Sequence, residues 1–427
     1  MTGVRKAAVA SSVGNAVELY DFLLYGTASA LVFDKIFFPQ FDSRVGVLLA
    51  FLTFGAGFFA RPLGGVVIGH FGDRVGRRTM LVITLSATGL ATALIGVLPT
   101  YASAGIAAPL MLVALRVLQG FFMGGEQGGA SLMAVEHAPP GRRGWYGSWV
   151  FIGSPVGLIL ANVAMFLATR WSGPDFLVWG WRIPFLFSIV LVGIGLYVRL
   201  RVDESPLFER EEAVKLPVAR VLRESWRRVL LAAGVNFGFQ IFIFVLSAWL
   251  ISYGRRELSV PANTMLMATV IGSLGQALTV PLFARLSDRI GRLPVMLGGA
   301  IFIGVFAFPM FWLLDARYVV LAMVLGFVGS GALFGPTAAY YAELFATRVR
   351  YTGVALSYQL GAVLGGGLSP FVAQWLLGFK LGAWPIAVYL IFGAAVSVAC
   401  LLTIGSTHEV EPARGESDRQ PLTPAEA

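Results

Sequence analysis

The chain has 427 residues and a formal net charge of +9, yet only 13% of its residues are charged, 57% are hydrophobic, and the mean hydropathy is +0.77. A soluble globular chain is about a quarter charged, so too few polar groups remain here to cover a water-facing surface. That excludes a soluble enzyme, and lipid has to cover the outside.

A helix needs about 20 mainly apolar residues to cross the hydrocarbon core. Twelve such stretches are predicted, near 9–33, 46–70, 79–98, 107–135, 146–168, 182–200, 229–252, 263–283, 294–314, 318–341, 352–377 and 382–404. In the first, Arg5 and Lys6 precede an alanine-rich run that imitates a signal peptide, but Glu18 and Asp21 interrupt the apolar region, so it reads as a retained span. Glu18, Asp21 and Tyr25 fall on one helix face, since residues three, four or seven apart line up. The second span contains Arg61 and runs out through Gly72 into Asp73-Arg74-Val75-Gly76-Arg77. In the fourth, Arg116, Gln119, Met123 and Glu126 form a second polar stripe, and Glu136 and Arg143 follow it, seven residues apart.

A charged loop over 201–228, with Pro206 and Pro217, divides the chain. Beyond it, Asn236 and Gln240 share a face of the seventh span, and the eighth runs out into Asp288-Arg289-Ile290-Gly291-Arg292. Tyr340 and Tyr341 lie in the tenth span, Glu343 and Arg350 follow seven residues apart, and Gln359 lies in the eleventh. The lone Cys400 permits no disulfide framework. His70, His137 and His408 have no metal-ligand spacing, and there is no Walker loop, so no metal, cofactor or ATP drive is expected. The tail over 405–427 is polar and proline-rich and reads as disordered.

The basic excess is a topology signal and not a nucleic-acid footprint. With the termini and every second loop assigned to the cytoplasm, only Lys35, Arg44, Arg170, Arg182, Arg255, Arg256, Arg317 and Lys380 fall on the other side. Lys and Arg near span ends set orientation, so both termini are expected to be cytoplasmic.

Asp73–Arg77 and Asp288–Arg292 agree at four of five positions, six spans apart, and the Glu136/Arg143 spacing recurs as Glu343/Arg350. An even number of spans between copies keeps their orientation. The expectation is an all-α membrane protein of twelve helices in two parallel six-helix repeats: a bundle over 1–200, the linker 201–228, and a bundle over 229–404. The glycines permit tight turns, and the aspartates and arginines can pair with each other or with a neighbouring helix end. These motifs, including Gly72, Gly76 and Gly291, are therefore expected to latch the cytoplasmic side.

The residues that carry a specific resemblance are Glu18 to Phe22 (ELYDF), Arg61 to Gly64 (RPLG), Gly69 to Arg78 (GHFGDRVGRR), Arg116 to Gly120 (RVLQG), Gly124 to Glu126, Trp179 to Phe185 (WGWRIPF), Glu204 to Pro206 and Glu343 to Gln359. With them the chain resembles the metabolite:proton symporter family of the major facilitator superfamily, whose carriers take shikimate, 2-oxoglutarate, citrate and proline or betaine. The resemblance implies the major facilitator fold and proton-coupled uptake of a small, often anionic metabolite across a bacterial inner membrane. The chain departs from the family at Leu19 and Gln127, where Trp is usual, and at Phe151, where Gln is frequent.

Ionisable groups at mid-helix cost several kcal/mol unless paired or hydrated, which makes Glu18, Asp21, Arg61, Arg116 and Glu126 functional candidates. By helical rise, Asp21 and Arg116 reach similar depths on antiparallel helices. The sequence expectation is that Asp21 accepts the proton and Arg116 is its switching partner, as in related proton-driven sugar carriers with Asp on span one and Arg on span four. A static structural pair is the other reading, and Glu18, Arg61 and Glu126 stand equally as transport or structural groups. Arg61 or Arg116 could instead clamp a substrate carboxylate, which guanidinium matches bidentately. Tyr25, Gln119, Asn236, Gln240, Tyr340 and Gln359 complete the candidate lining, with interhelical bonding as their alternative role. A carboxylate is the expected substrate, with a zwitterion such as proline or betaine second and a non-transporting sensor as a reading of another class. The expected partners are that small molecule, protons and the bilayer, with no nucleic acid and a monomeric chain.

Overall fold

The structure, a computed structural model, describes residues 2–75, 77–124, 134–136, 138–139, 141–200, 221, 223 and 225–407, with side chains described except at 2–11, 69–70, 72–78, 198–200 and 347–348. Among these residues every regular element is helical. The first four spans are Thr2–Leu31, Ser43–Val75, Arg77–Val97 and Ala107–Met123. The fifth joins Arg143–Phe151 to Gly153–Ser172, and the sixth is Arg182–Leu200. The seventh runs from Trp226–Phe244 through a π-helical turn, Val245–Trp249, into Leu250–Arg256. The eighth and ninth are Ala262–Ile290 and Arg292–Asp315. Val319–Phe334 and Thr337–Leu344 make the tenth, broken at Gly335-Pro336. The eleventh, Thr347–Gly361, passes through a second π-helical segment, Ala362–Gly367, into Ser369–Leu377, and the twelfth is Trp384–Ile404.

Nine helices among the described residues are long and apolar enough to cross a membrane, and Ala107–Met123 and Arg182–Tyr197 are apolar but shorter. The first helix, Thr2–Leu31, falls outside both groups because of its polar residues. Glu18, Asp21, Thr27 and Ser29 are all buried, so protein and not lipid surrounds them. Large apolar side chains such as Leu63, Ile106, Val305, Trp312 and Leu402 instead face outward. That arrangement suits a hydrocarbon solvent.

In the first half the first span packs on the fifth, the second on the fourth and the third on the sixth; in the second half the seventh packs on the eleventh, the eighth on the tenth and the ninth on the twelfth. The repeated motifs thus belong to repeated packing. Between the halves the fifth span packs on the eighth and the second on the eleventh, contacts that exchange with one another when the halves are exchanged, and the first span meets the π turn of the seventh.

Glycine allows the close approach of the second and fourth spans. A Cβ at Gly120 would strike the Gly57 carbonyl, one at Gly124 the Arg61 carbonyl, and one at Gly64 the Phe121 carbonyl. Small residues let backbones come this near, and van der Waals packing then holds the helices without help from the hydrophobic effect. The result for the site is that Arg61 and Arg116, on these two helices, are brought together.

Ser12 and Gly405 lie at one end of the bundle, here the terminal face. The Ser12 hydroxyl donates to the Trp149 carbonyl (2.8 Å), and the Tyr340 hydroxyl donates to the Gly405 carbonyl (3.3 Å).

Candidate functional site

Two guanidinium groups occupy the interior where the halves meet. Arg61 is 3% exposed and Arg116 is fully buried. The Arg61 Cζ sits 3.9 Å from the Phe22 ring centroid, and the Arg116 Cζ sits 3.8 Å from the same ring. Phe58 adds a second ring to Arg61 at 4.5 Å, and Tyr25 and Phe54 add rings to Arg116 at 4.4 and 4.8 Å. Cation–π contacts offset part of the burial cost, by about 0.5–2 kcal/mol each. Polar partners are few: Arg61 Nη2 points at the Met123 sulfur (3.1 Å), and Arg116 donates through Nε to the Phe54 carbonyl (3.3 Å) and through Nη1 to Gln119 Oε1. Arg61 Nε and Arg116 Nη2 have no partner, and neither arginine forms an ion pair among the described residues. The second half closes this chamber with Phe244, whose ring lies 5.6 Å from Phe54 and 5.2 Å from Phe58, and with Gly366 and Gly367 against Phe58. Phe244 adjoins one π segment and the two glycines lie within the other, a feature frequent at functional sites.

Asp21 points away from this chamber, into the packing of the first half. Its Oδ1 accepts a hydrogen bond from the Ser188 hydroxyl of the sixth span (2.5 Å), and its Oδ2 is buried without a partner. The expected ion pair with Arg116 is therefore not formed in this conformation. Gln119 stands between them. It receives Arg116 on its carbonyl and donates its amide to the Asp21 backbone carbonyl (3.1 Å) and to the Thr92 hydroxyl (2.7 Å). Glu18 is buried on the same helix as Asp21. Glu126 lies outside the described residues.

The remaining expected lining residues divide by location. Tyr25 donates to Thr53 (2.8 Å) at the arginine chamber. Asn236 donates to the Tyr358 carbonyl (3.1 Å), and Gln359 reaches across the halves to the Gly124 carbonyl (3.4 Å), leaving its own carbonyl oxygen without a partner. Gln240 is buried on the seventh span. Tyr340 is not brought to the chamber; its bond to Gly405 puts it at the terminal face between the tenth and twelfth spans. An aromatic stack lies between the halves: Phe151 of the fifth span packs 4.6 Å from Phe334, which stacks at 4.5 Å and 6° on Phe239.

The terminal face is latched shut. Asp288 accepts the backbone N–H groups of Gly144 (2.8 Å) and Trp145 (2.9 Å), the first turn of the fifth span that begins at Arg143. A carboxylate there satisfies two orphan donors and faces the positive end of the helix dipole. Arg292 holds Asp288 in place (2.5 Å) and also contacts Glu343 (3.2 Å). Glu136 pairs with Arg350 (3.0 Å), again across the halves. Gly291, at φ +94°, makes the turn between Asp288 and Arg292 that other residues adopt only under strain. Arg289 points outward and takes no part. In the first copy of the motif, Gly76 lies outside the described residues, as do the side chains at Gly72, Asp73, Arg74 and Arg77.

The opposite face has a latch that motif reasoning missed. Arg256 at the end of the seventh span pairs with Asp34 (2.6 Å) and donates to the Ser43 hydroxyl, while Arg255 donates to the Leu31 carbonyl (2.9 Å). Each of these bonds joins one half to the other, so both faces are closed in this conformation.

Two six-helix lobes that enclose charged groups and are latched to each other at both faces make up a membrane transport protein. The family model of the Major Facilitator Superfamily matches residues 23–366, with a second match over 255–426, and the chain belongs to that superfamily. It is 39% identical over 415 residues to a shikimate transporter of Escherichia coli K12, covering 94% of each chain. It is 33% identical over 427 residues to a proline/betaine transporter of the same organism, covering 95% of this chain and 84% of the relative. A crystal structure of a D-xylose-proton symporter superposes with a TM-score of 0.74 at 16% identity, covering 94% of this chain and 97% of that one; it shares the fold.

Proposed function

We propose that the protein is a proton-coupled symporter that carries a small organic carboxylate by alternating access into a bacterial cell, across the inner membrane, with both termini cytoplasmic. The observation that carries this reading is the pair of buried guanidiniums, Arg61 and Arg116, with no carboxylate on either among the described residues. Leaving a buried cation unpaired costs several kcal/mol, and a cation–π contact offsets only part of it. A substrate carboxylate supplies the missing charge and can engage a guanidinium through two parallel hydrogen bonds. Phe22, Phe54, Phe58 and Phe244 give the rest of the chamber an apolar wall suited to the carbon skeleton.

Asp21 is the proton site in this reading. Its backbone carbonyl is joined to Arg116 through Gln119, and the Oδ2 of its carboxylate has no hydrogen-bond partner and is free to take a proton. The shikimate and proline/betaine transporters among its relatives leave two chemistries, an anion and a zwitterion. The two buried arginines, without a carboxylate among the described residues, favour the anion.

The test is uptake by sealed vesicles containing purified protein, with an acidic exterior imposed. Shikimate, 2-oxoglutarate, citrate and betaine are offered in turn. The expected result is accumulation of a carboxylate, abolished when an ionophore collapses the pH gradient. Gradient-driven uptake of betaine alone would overturn the anion assignment, and transport of a carboxylate indifferent to the gradient would overturn the coupling.

A further inference from the structure

We infer that Gln119 is the positioning residue that couples Asp21 to Arg116: its amide ties the guanidinium to the Thr92 hydroxyl, and an ionised Asp21 carboxyl draws that hydroxyl's proton away from the Thr88 carbonyl. This inference deepens the proposed function and rests on its assignment of the proton to Asp21.

Gln119 is fully buried and all its amide groups are committed. Its carbonyl oxygen accepts from Arg116 Nη1, and its amide nitrogen donates to the Thr92 hydroxyl and the Asp21 backbone carbonyl. The neighbours dictate this orientation. Turned over, the amide would point N–H groups at a guanidinium, which can only donate, and an oxygen at a backbone carbonyl, which can only accept. The amide is therefore a directional link. The Asp21 carboxyl lies against the third span, its Oδ2 3.5 Å from where a Cβ at Gly89 would be, one turn from Thr92, whose hydroxyl has a single proton, now donated to the Thr88 carbonyl (2.9 Å).

Bonds in such a chain polarise one another at low dielectric. An ionised Asp21 draws the Thr92 proton toward itself. The Thr92 oxygen then accepts more strongly from Gln119, and the Gln119 carbonyl holds Arg116 more strongly. When Asp21 takes a proton, the chain relaxes and the guanidinium is released toward the chamber, where Phe22 and a substrate carboxylate compete for it. Nothing in the relay transfers a proton onward; it transmits the charge state of one end to the other. The sequence of events is proton first, substrate second.

Among the described residues, the charged and titratable groups facing these two ends are Glu18, Tyr20 and Tyr25 on the first span and Arg61 on the second. The third and sixth spans set Gly89, Thr92, Ser188 and Val192 beside Asp21 and contribute no charged group among the described residues. Direct attraction between Asp21 and Arg116 through space is the rival explanation for any coupling, and a double-mutant cycle separates the two.

The readout is the pH titration of the Asp21 carboxyl band in the infrared difference spectrum of purified full-length protein, assigned by its loss in Asp21→Asn. Arg116→Gln should change the proton affinity of Asp21 by about threefold or more, and in a Gln119→Met background the same change should fall below about 1.5-fold, because the connecting groups are gone. Thr92→Val, which leaves Gln119 intact, should suppress the effect in the same way and guards against a folding defect of Gln119→Met. An Arg116→Gln effect of equal size in all three backgrounds would mean through-space coupling and sink the relay. So would the absence of any effect, or a band that does not titrate. Failure of gradient-driven uptake with an intact relay titration would count against the proposed function alone.

Discussion

At the scale of single residues, the interior charges differ in what surrounds them. Asp21 is held by Ser188 on the sixth span, whereas Arg61 and Arg116 rest on aromatic rings and a few weak acceptors. Asp21→Asn keeps the size and the bond from Ser188 but takes no proton. It is expected to lose gradient-driven accumulation and keep exchange of labelled for unlabelled substrate, both measured in vesicles; accumulation against a gradient would exclude Asp21 as the proton site. Arg61→Lys and Arg116→Lys keep the charge and lose the planar fork. Each is expected to raise KM by about tenfold, corresponding to about 1.4 kcal/mol and the loss of one charge-assisted bond. An unchanged KM in both would remove the arginines from the binding site. Sequence reading found these charges because each stands out in an apolar run. It did not find Ser188, Thr92 or Phe22, because a hydroxyl or a Phe in a membrane helix looks the same whether it faces a site, a neighbour or lipid. The sequence expectation paired Asp21 directly with Arg116, whereas Gln119 stands between them in this conformation; that depends on side-chain direction, which helical periodicity does not specify.

At the scale of elements, the chamber depends on how closely the second span lies on the fourth. Gly57, Gly64, Gly120 and Gly124 occur in the sequence without any sign of which helix they face, and the structure pairs them backbone to backbone. Gly120→Ala has to push the helices apart, because its Cβ meets the rigid carbonyl of Gly57. Overpacking of this kind costs about 1–3 kcal/mol. The expected outcome is a melting temperature lower by about 5 °C, at roughly 2–4 °C per kcal/mol, together with weakened substrate binding as Arg61 and Arg116 separate. Gly298→Ala is the matched control: a Cβ there meets nothing within 4 Å, and helix propensity alone makes it neutral or slightly stabilising. Equal melting temperatures for both variants would show that the close approach does not hold the two spans together. The paired spans themselves, by contrast, were legible from hydropathy and the repeated motifs, with one qualification. The first helix passes as a span only because its polar residues are enclosed by protein, a condition hydropathy alone does not express.

At the scale of the whole molecule, the two faces are closed by unequal means. The terminal face combines Asp288 on the first turn of the fifth span with the Glu136–Arg350 pair, and the motif repeat pointed to both. The opposite face relies on Asp34–Arg256 with a bond from Arg255 to Leu31, and no repeat marks those residues. A two-lobed carrier exposes its site to one side by breaking the latch on that side while keeping the other, so each latch sets the free energy of one open state. Arg256 is 21% exposed and its partner 3% exposed, so Asp34→Asn removes a partly desolvated pair and should favour opening of that face by about tenfold, or about 1.4 kcal/mol. Asp288→Asn should favour opening of the terminal face by at least as much, because Arg292 and two helix N–H groups lose their charged acceptor together. Spin-label pairs placed across each face, read by electron–electron double resonance, report both populations. Asp34→Asn should lengthen distances only across the opposite face, and Asp288→Asn only across the terminal face. Lengthening across both faces in either variant would mean that the lobes separate and do not rock, since rocking requires that the loss of one latch leave the other intact.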